Sequence, residues 1–485
     1  MKRLFLLVLV AAMVLGICGC AAQTGESMQP SVNLNLDSFS VGYSRIDITP
    51  NCSVPMAGYG ATSKRLSQNI QDYLYATAVA VHDGQGSTLV FLNVDLQRAS
   101  DVILDSIRPQ LAKITGLPEN AFHLNATHTH SGPDVQSSHV SVAPYMEILL
   151  SRLIQVVLES LEDLKPATMW AGSIETEGLN FVRHYYHVDE NGEKVYFGDN
   201  HGTSVINATT AHTSNPDETM YMVKFQREGA KDVCLINWRA HPHWTGGSTL
   251  YNISSDFVGA FREAFELQTD CLFSYWQGAA GNINEKSRIA SENQVADYKE
   301  HGARLAQYAI DCLNENMEQL ETGAIHILEK TLTLEVNKTD DMGLYYAAKT
   351  VQTIYNKTNN RTEALAAAGG YDIWSQYHAA AIVNNSKKED TEERTYTVVS
   401  IGDQLVITLA PHEMFDTTMQ RVEDASAFDY TLHFGYSNGT NSYLPDAATW
   451  QFGSYESDTS IFVEGTAELV EKTFMDLIAQ IYDQK

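Results

Sequence analysis

The sequence predicts an α/β (α+β) fold: a mixed central sheet with flanking helices. Three observations carry this. Short apolar runs of strand composition alternate with longer runs of helical period, the pattern of strands covered by helices. The length would allow about three domains on the usual prior, yet no composition break divides the chain after its N-terminal segment. There is also no internal repeat.

In order, the strand-like runs are Ala76–Val81, Thr88–Val94, Phe122–Ala126, Val233–Asn237 and Leu405–Leu409. The helical patterns are Val102–Ile114, Tyr145–Leu164, Phe257–Leu267, Gln294–Glu318 and Thr466–Tyr482. Residues 338–395 differ, being rich in Asn, Lys, Thr and Glu around the Ala-rich stretch Ala364–Ala368. They read as a helical insertion bounded by loops, polar over 385–394.

The N-terminus opens Met1-Lys2-Arg3 and runs apolar from Leu4 to Ile17. That is short for a membrane span and has the charge pattern of a secretory signal. The run ends Ile17-Cys18-Gly19-Cys20, which looks like a bacterial lipoprotein signal cut before Cys20, because Gly19 is smaller than Ile17. Residues 1–19 are therefore expected to be a signal peptide. A lipid on Cys20 would anchor the chain to a membrane without spanning it, at the bacterial cell envelope and facing outside the cytoplasm. The small, polar stretch to residue 38 would be the tether, and 39–485 one catalytic body.

The formal charge is −28 and the sequence pI about 4.8, which argues against nucleic acid and anionic membrane surfaces as partners. Beyond Cys18 and Cys20, the cysteines are Cys52, Cys234, Cys271 and Cys312. Their spacings match no disulfide scaffold and no Cys-x-x-Cys metal site; Cys234 and Cys271 fit buried thiols as well as bridges.

Residues 125–134 read Asn-Ala-Thr-His-Thr-His-Ser-Gly-Pro-Asp. If the strand Phe122–Ala126 continues through them, His128 and His130 share one face and could converge on one ion or flank one substrate. A second group follows the apolar run ending at Asn237. There His241 precedes Pro242, which blocks further strand pairing, with His243 as the competing candidate. A third is Leu409-Ala410-Pro411-His412-Glu413, where Glu413 would complete a His/His/Glu set and could also be the first-turn acid of a helix starting near Met414.

The ordered motifs resemble the neutral ceramidase family (neutral/alkaline, non-lysosomal) from about Val41 to Leu477. They are Gly42–Pro50 with Met56–Gly60, Thr127-His-Thr-His-Ser-Gly-Pro133, Asn237-Trp-x-Ala-His241, Ser255-Asp256, Gly281–Asn284, Glu413, Ser437-Asn438, Tyr443 and Tyr455-Glu456. The resemblance implies a single metallohydrolase-type catalytic domain with one Zn2+ per chain, held by His128, His241, Glu413 and Tyr443. A phenolate is a reasonable ligand because a metal lowers the phenol's pKa. It further implies that Tyr455 hydrogen-bonds a developing oxyanion and that His130 steers the carbonyl or shuttles a proton. Arg183 would face the substrate, and Asp95 would support a metal ligand.

The chain departs from the family at Gly281-Asn282-Ile283-Asn284-Glu285, where ceramidases carry Gly-Asp-Val-Ser-Pro. Asn284 replaces the serine. It can orient water or a carbonyl by hydrogen bonds but is no nucleophile, so a metal-activated water would attack the acyl carbon. The family's usual C-terminal immunoglobulin-like domain is not expected after Thr466–Tyr482. The leading expectation is a zinc-dependent amidohydrolase of linear amides, acting on ceramide or a related small-molecule N-acyl lipid. Two others share the residues: a metal-dependent hydrolase of another ester or N-acyl substrate, and a non-catalytic ligand-binding lipoprotein.

Overall fold

The computed structural model describes residues 32, 34–59, 65–198, 206–439 and 442–484. The expected signal and Cys20 anchor lie outside the described residues, as does Gly60 of the opening motif.

Two β-sheets pack face to face, with helices on both outer faces. The larger sheet contains β1 (Phe39–Asp47), β2 (Tyr75–Asp83), β3 (Thr88–Val94), β4 (Phe122–Ala126), β5 (Lys165–Glu175), β6 (Thr219–Arg227), β7 (Asp232–Trp238), β8 (Cys271–Gln277) and β9 (Glu318–Leu320). Its order is β8-β7-β6-β5-β1-β2-β3-β4, with β9 added beside β5. It is mixed: β7/β8 and β3/β4 are parallel, and the other pairs are antiparallel. The second sheet, which adds a layer to the single sheet expected, is β10 (Ile325–Glu335), β11 (Thr391–Ile401), β12 (Leu405–Leu409) and β13 (Tyr430–Phe434), in chain order.

Alternation along the strands builds the layers. In β2, Val79 and Val81 enter the core between the sheets, while Ala76, Ala78 and Ala80 face the helices. In β3, Leu89 and Phe91 do the former and Val90, Leu92 and Val94 the latter. Burial on both faces explains why these strands read as continuous apolar runs.

The outer layer on the larger sheet is α1 (Asp101–Thr115), α2 (Val142–Glu162), α3 (Asp256–Gln268) and α4 (Tyr298–Glu315). Ser100 caps α1 by accepting from the Val102 N–H, and Gly116, at φ 78°, ends it in the left-handed region. Residues 338–395 correct one expectation. They carry α5 (Met342–Thr358), α6 (Arg361–Ala366) and α7 (Gln376–Asn385), packed around their own small core of Ala348, Val351, Ala379 and Val383. Their last five residues, however, open β11, which pairs along all of β10. Polar side chains on an exposed hairpin face conceal a strand whose backbone is fully paired. The second sheet is backed by α8 (Asp416–Asp424), and further on come α9 (Ala447–Phe452), α10 (Tyr455–Thr459) and α11 (Thr466–Tyr482). No helix among the described residues is long and apolar enough to cross a membrane. Cys52, Cys234, Cys271 and Cys312 are unbridged.

The larger sheet coils until its two ends meet. At the end of β8, the Gln277 N–H donates to the Asn125 side chain of β4 (3.3 Å). The segment after β13 seals this junction: Ala126 N–H reaches the Tyr436 carbonyl (3.1 Å) and Asn438 N–H reaches that of Leu124 (2.8 Å). The Asn125 amide donates to Gly435 O (2.6 Å) and Ser437 Oγ (2.9 Å). Asn125, Ser437 and Asn438 are therefore clamps that bring distant strand ends together.

Three buried histidines set an acid limit. Burial, with nearby Arg108 and Arg239 respectively, pushes His123 and His433 down to about 3, and burial pushes His301 down to about 4. The unfolded chain takes up these protons first, so the stability they permit is present above about pH 6.5 and is lost as pH falls toward 4, at about 1.4 kcal/mol per group per unit. The melting temperature is expected to fall steeply between pH 7 and 5; a flat profile would contradict it.

Candidate metal centre

Four chain segments meet at the closed end of the larger sheet. β4 stops at Ala126, and His128 follows in the left-handed region at φ 67°. The expected continuation of the strand through the histidine pair is thus corrected. The His128 N–H bonds to Leu96 O (2.9 Å), and the turn aims its ring inward. His241 follows β7 and is bridged in parallel to Asn284. Glu413 lies on a two-residue strand with Met414, parallel to Tyr443–Leu444. Helix α8 starts only at Asp416, with Phe415 as its N-cap, so Glu413 is not a first-turn acid.

The ligand nitrogens of His128, His130 and His241, all buried, lie within 4.8 Å of one another. His128 Nδ1 is 2.8 Å from Gln97 O, and His241 Nδ1 is 3.0 Å from Ile283 O. A carbonyl only accepts, so each Nδ1 carries a proton, and the Nε2 of each ring is the atom free to offer a lone pair inward. Burial first, then Arg183, pushes His241 down to about 3, which keeps it neutral. Both lone pairs face the same carboxylate oxygen: Glu413 Oε2 is 3.3 Å from His128 Nε2 and 3.2 Å from His241 Nε2. Burial would raise the Glu413 carboxyl, but a second proton on either imidazole, donated to it, holds it well below the usual range.

Acceptors confronting acceptors in a buried space call for a cation among them. The spacing fits: ligands about 2.0–2.1 Å from a tetrahedral zinc stand about 3.3 Å apart. The Tyr443 hydroxyl lies 3.5 Å from His241 Nε2, at the fourth side. Burial, then Glu413, pushes its phenol well above the ordinary value, and a bound cation would reverse that.

His130 Nε2 is 3.2 Å from His128 Nε2, and its Nδ1 is buried without a hydrogen-bond partner. Burial, then the neighbouring histidines, pushes its pKa well below the ordinary value. Gly58, at φ 107°, packs so closely that a Cβ there would lie 2.6 Å from the His130 side chain. Arg183 is 3% exposed. Its Nε donates to Glu456 Oε1 (2.6 Å), and its Nη1 is 3.5 Å from His241 Nε2. His184 Nε2 holds the other Glu456 oxygen at 2.8 Å. The guanidinium lies 5.3 Å from the Tyr443 ring and 5.9 Å from that of Tyr455, whose centroids are 5.6 Å apart. Asn284 pairs with Phe181 across a short antiparallel ladder and is 4% exposed.

The structure thus brings together His128, His130, His241, Glu413, Tyr443, Tyr455 and Arg183, with Asn284 beside His241. Asp95 is placed differently from the expectation. Its carboxylate accepts from Arg262 Nη2 (2.9 and 2.8 Å) and the Tyr75 N–H (2.9 Å). It ties α3 to the sheet, while the His128 ring is oriented by the Gln97 carbonyl.

A family model described as neutral/alkaline non-lysosomal ceramidase, N-terminal, matches residues 39–274, the segment that supplies three of these histidines. Residues 39–274 belong to the neutral/alkaline non-lysosomal ceramidase family. Neutral ceramidase of Oryza sativa subsp. japonica is 24% identical over 47% of this chain and 29% of its own length. Neutral ceramidase 2 of Arabidopsis thaliana is 24% identical over 56% of this chain and 35% of its own length. The matched parts therefore span about a third of these relatives. The crystal structure of neutral ceramidase from Pseudomonas aeruginosa superposes with a TM-score of 0.68 at 16% identity, covering 92% of this chain and 75% of that one; this likeness supports the ceramidase fold.

Within this ceramidase fold the structure also shows partners that the sequence reading did not assign. Glu456 follows Tyr455 in the quoted motif, yet its role as the anchor of Arg183 needs the fold. His243, the competitor of His241, turns its Nδ1 to Glu285 Oε1 (2.9 Å) instead. Tyr436 stacks 4.2 Å from His128 and its hydroxyl is buried without a hydrogen-bond partner; its sole sequence signal was its place before Ser437-Asn438.

Proposed function

We propose that this protein is a zinc-dependent hydrolase that cleaves the N-acyl amide bond of ceramide or a related N-acyl lipid. The observation that carries the reading is the convergence of the His128 and His241 lone pairs on Glu413, with Tyr443 alongside. These four would hold zinc, which when bound activates water and polarises an acyl carbonyl.

The chain's own residues supply the rest. Burial, then Glu413, pushes the Tyr455 phenol above its ordinary value, so it stays protonated and can donate to the oxygen that gains charge. His130, a neutral imidazole, can accept a proton from the attacking water and return it to the leaving amine. Arg183, fixed by Glu456, offers a cation beside both tyrosines. Asn284, lacking a nucleophilic oxygen, orients water or carbonyl, which favours direct attack by water over a covalent acyl intermediate. A lipid on Cys20 would hold the enzyme at the bacterial cell envelope, where N-acyl lipids reside. The same residues would serve an ester equally well.

Tyr455→Phe is expected to lower kcat for N-acyl-sphingosine by about a hundredfold, the cost of one oxyanion donor, with zinc content unchanged. Released sphingosine and bound metal are the two readouts. An unchanged kcat would remove Tyr455 from the mechanism.

A further inference from the structure

A cavity of about 380 Å³ lies between the helical segment and the chain around α10. It begins one helical turn from Tyr455. Tyr455 and Asp458 are three residues apart on α10 and so share a face. Opposite them on α7 stand Tyr377, whose ring meets that of Tyr455 at 5.8 Å, and His378, whose Nδ1 is 3.8 Å from Asp458 Oδ2. From the candidate metal centre the order is Tyr443, Tyr455, then the cavity.

The walls state what fits. Trp450 gives a broad apolar ring, Asp340 and Asp458 give carboxylate acceptors, and Asn337 and His378 line the same space. Lys338 is the one Lys or Arg in the described wall, and its Nζ is occupied by Asp390 at 2.7 Å. Two carboxylates, with Lys338 taken up by Asp390 and His378 beside Asp458, disfavour a phosphate or sulfate. An acyl chain would strip water from those carboxylates without replacing its hydrogen bonds. A ring with apolar C–H faces and a rim of hydroxyls satisfies both the tryptophan and the acceptors. The volume lies at the small end of ligand pockets, roughly 300–1,000 Å³.

We infer that this cavity is a subsite for a glycosyl headgroup carried by the N-acylated amine. The inference rests on the hydrolase reading above: amide at the metal centre, sugar one helical turn beyond Tyr455.

The test uses the zinc-loaded protein with N-acyl-sphingosine and its 1-O-glucosyl derivative. Wild type is expected to show a KM about tenfold lower for the glucosyl form. Trp450→Ala and Asp458→Asn are each expected to raise that KM about tenfold, with kcat for both substrates and KM for the plain substrate changed less than about twofold. Equal changes for both substrates, or none, would overturn the subsite. Calorimetry with octyl glucoside separates this from the reaction itself. Saturable binding that Trp450→Ala or Asp458→Asn abolishes supports the subsite even if neither lipid is cleaved, in which case the hydrolase reading alone fails. Absence of binding, or preference for octylamine over octyl glucoside, overturns the subsite.

Discussion

Glu413→Ala is expected to remove both metal and activity. The carboxylate is the one group that both Nε2 lone pairs face, at 3.3 and 3.2 Å, so its loss takes away a ligand and the charge that balances a dication. We expect kcat/KM for an N-acyl lipid to fall at least about a thousandfold, about 4 kcal/mol of transition-state stabilisation. Bound zinc, measured by elemental analysis after gel filtration, should fall well below one per chain. The fold should persist, because only the side chain faces the site while the Glu413 backbone keeps its bond to Ser442 O (3.0 Å). A variant that keeps full zinc and full activity would show that the His/His/Glu convergence is structural only.

Glu456→Ala is expected to have the largest effect on stability. Arg183 and His184 are 3% and 2% exposed and share this carboxylate. Burial would raise the Glu456 carboxyl, yet Arg183 and His184 hold it well below the ordinary range. Its removal leaves a buried guanidinium without its counter-charge, a loss on the order of 3–5 kcal/mol. The same change frees Arg183 beside Tyr443 and Tyr455, so kcat should also drop. Glu456→Gln, which keeps the shape and one acceptor, should lie between. Denaturant midpoints compared at equal m-values measure this; a midpoint within error of wild type would contradict it.

Much of this was legible in the sequence, for physical reasons. β3, β4 and β12 were bounded exactly because both faces of each are buried, so they read as unbroken apolar runs. The histidines and Glu413 stand where such runs stop. What stayed hidden depended on contacts between distant segments. β10 carries Glu329, Lys330 and Thr331 on exposed positions, which masks a strand that is fully paired. The left-handed turn at His128 is held by the Leu96 and Gln97 carbonyls, and no residue type at that position announces it. The resemblance makes Asp95 a support for the metal because it ends a strand where the family also carries an aspartate; its partner, Arg262, arrives from α3, far along the chain.

The most direct test of the account is to incubate the body that follows the tether with N-acyl-sphingosine and follow free sphingosine, with and without a zinc chelator, while counting bound metal. The account predicts about one zinc per chain and release that stops on chelation and returns on adding zinc. Release that continues in zinc-free protein would contradict it.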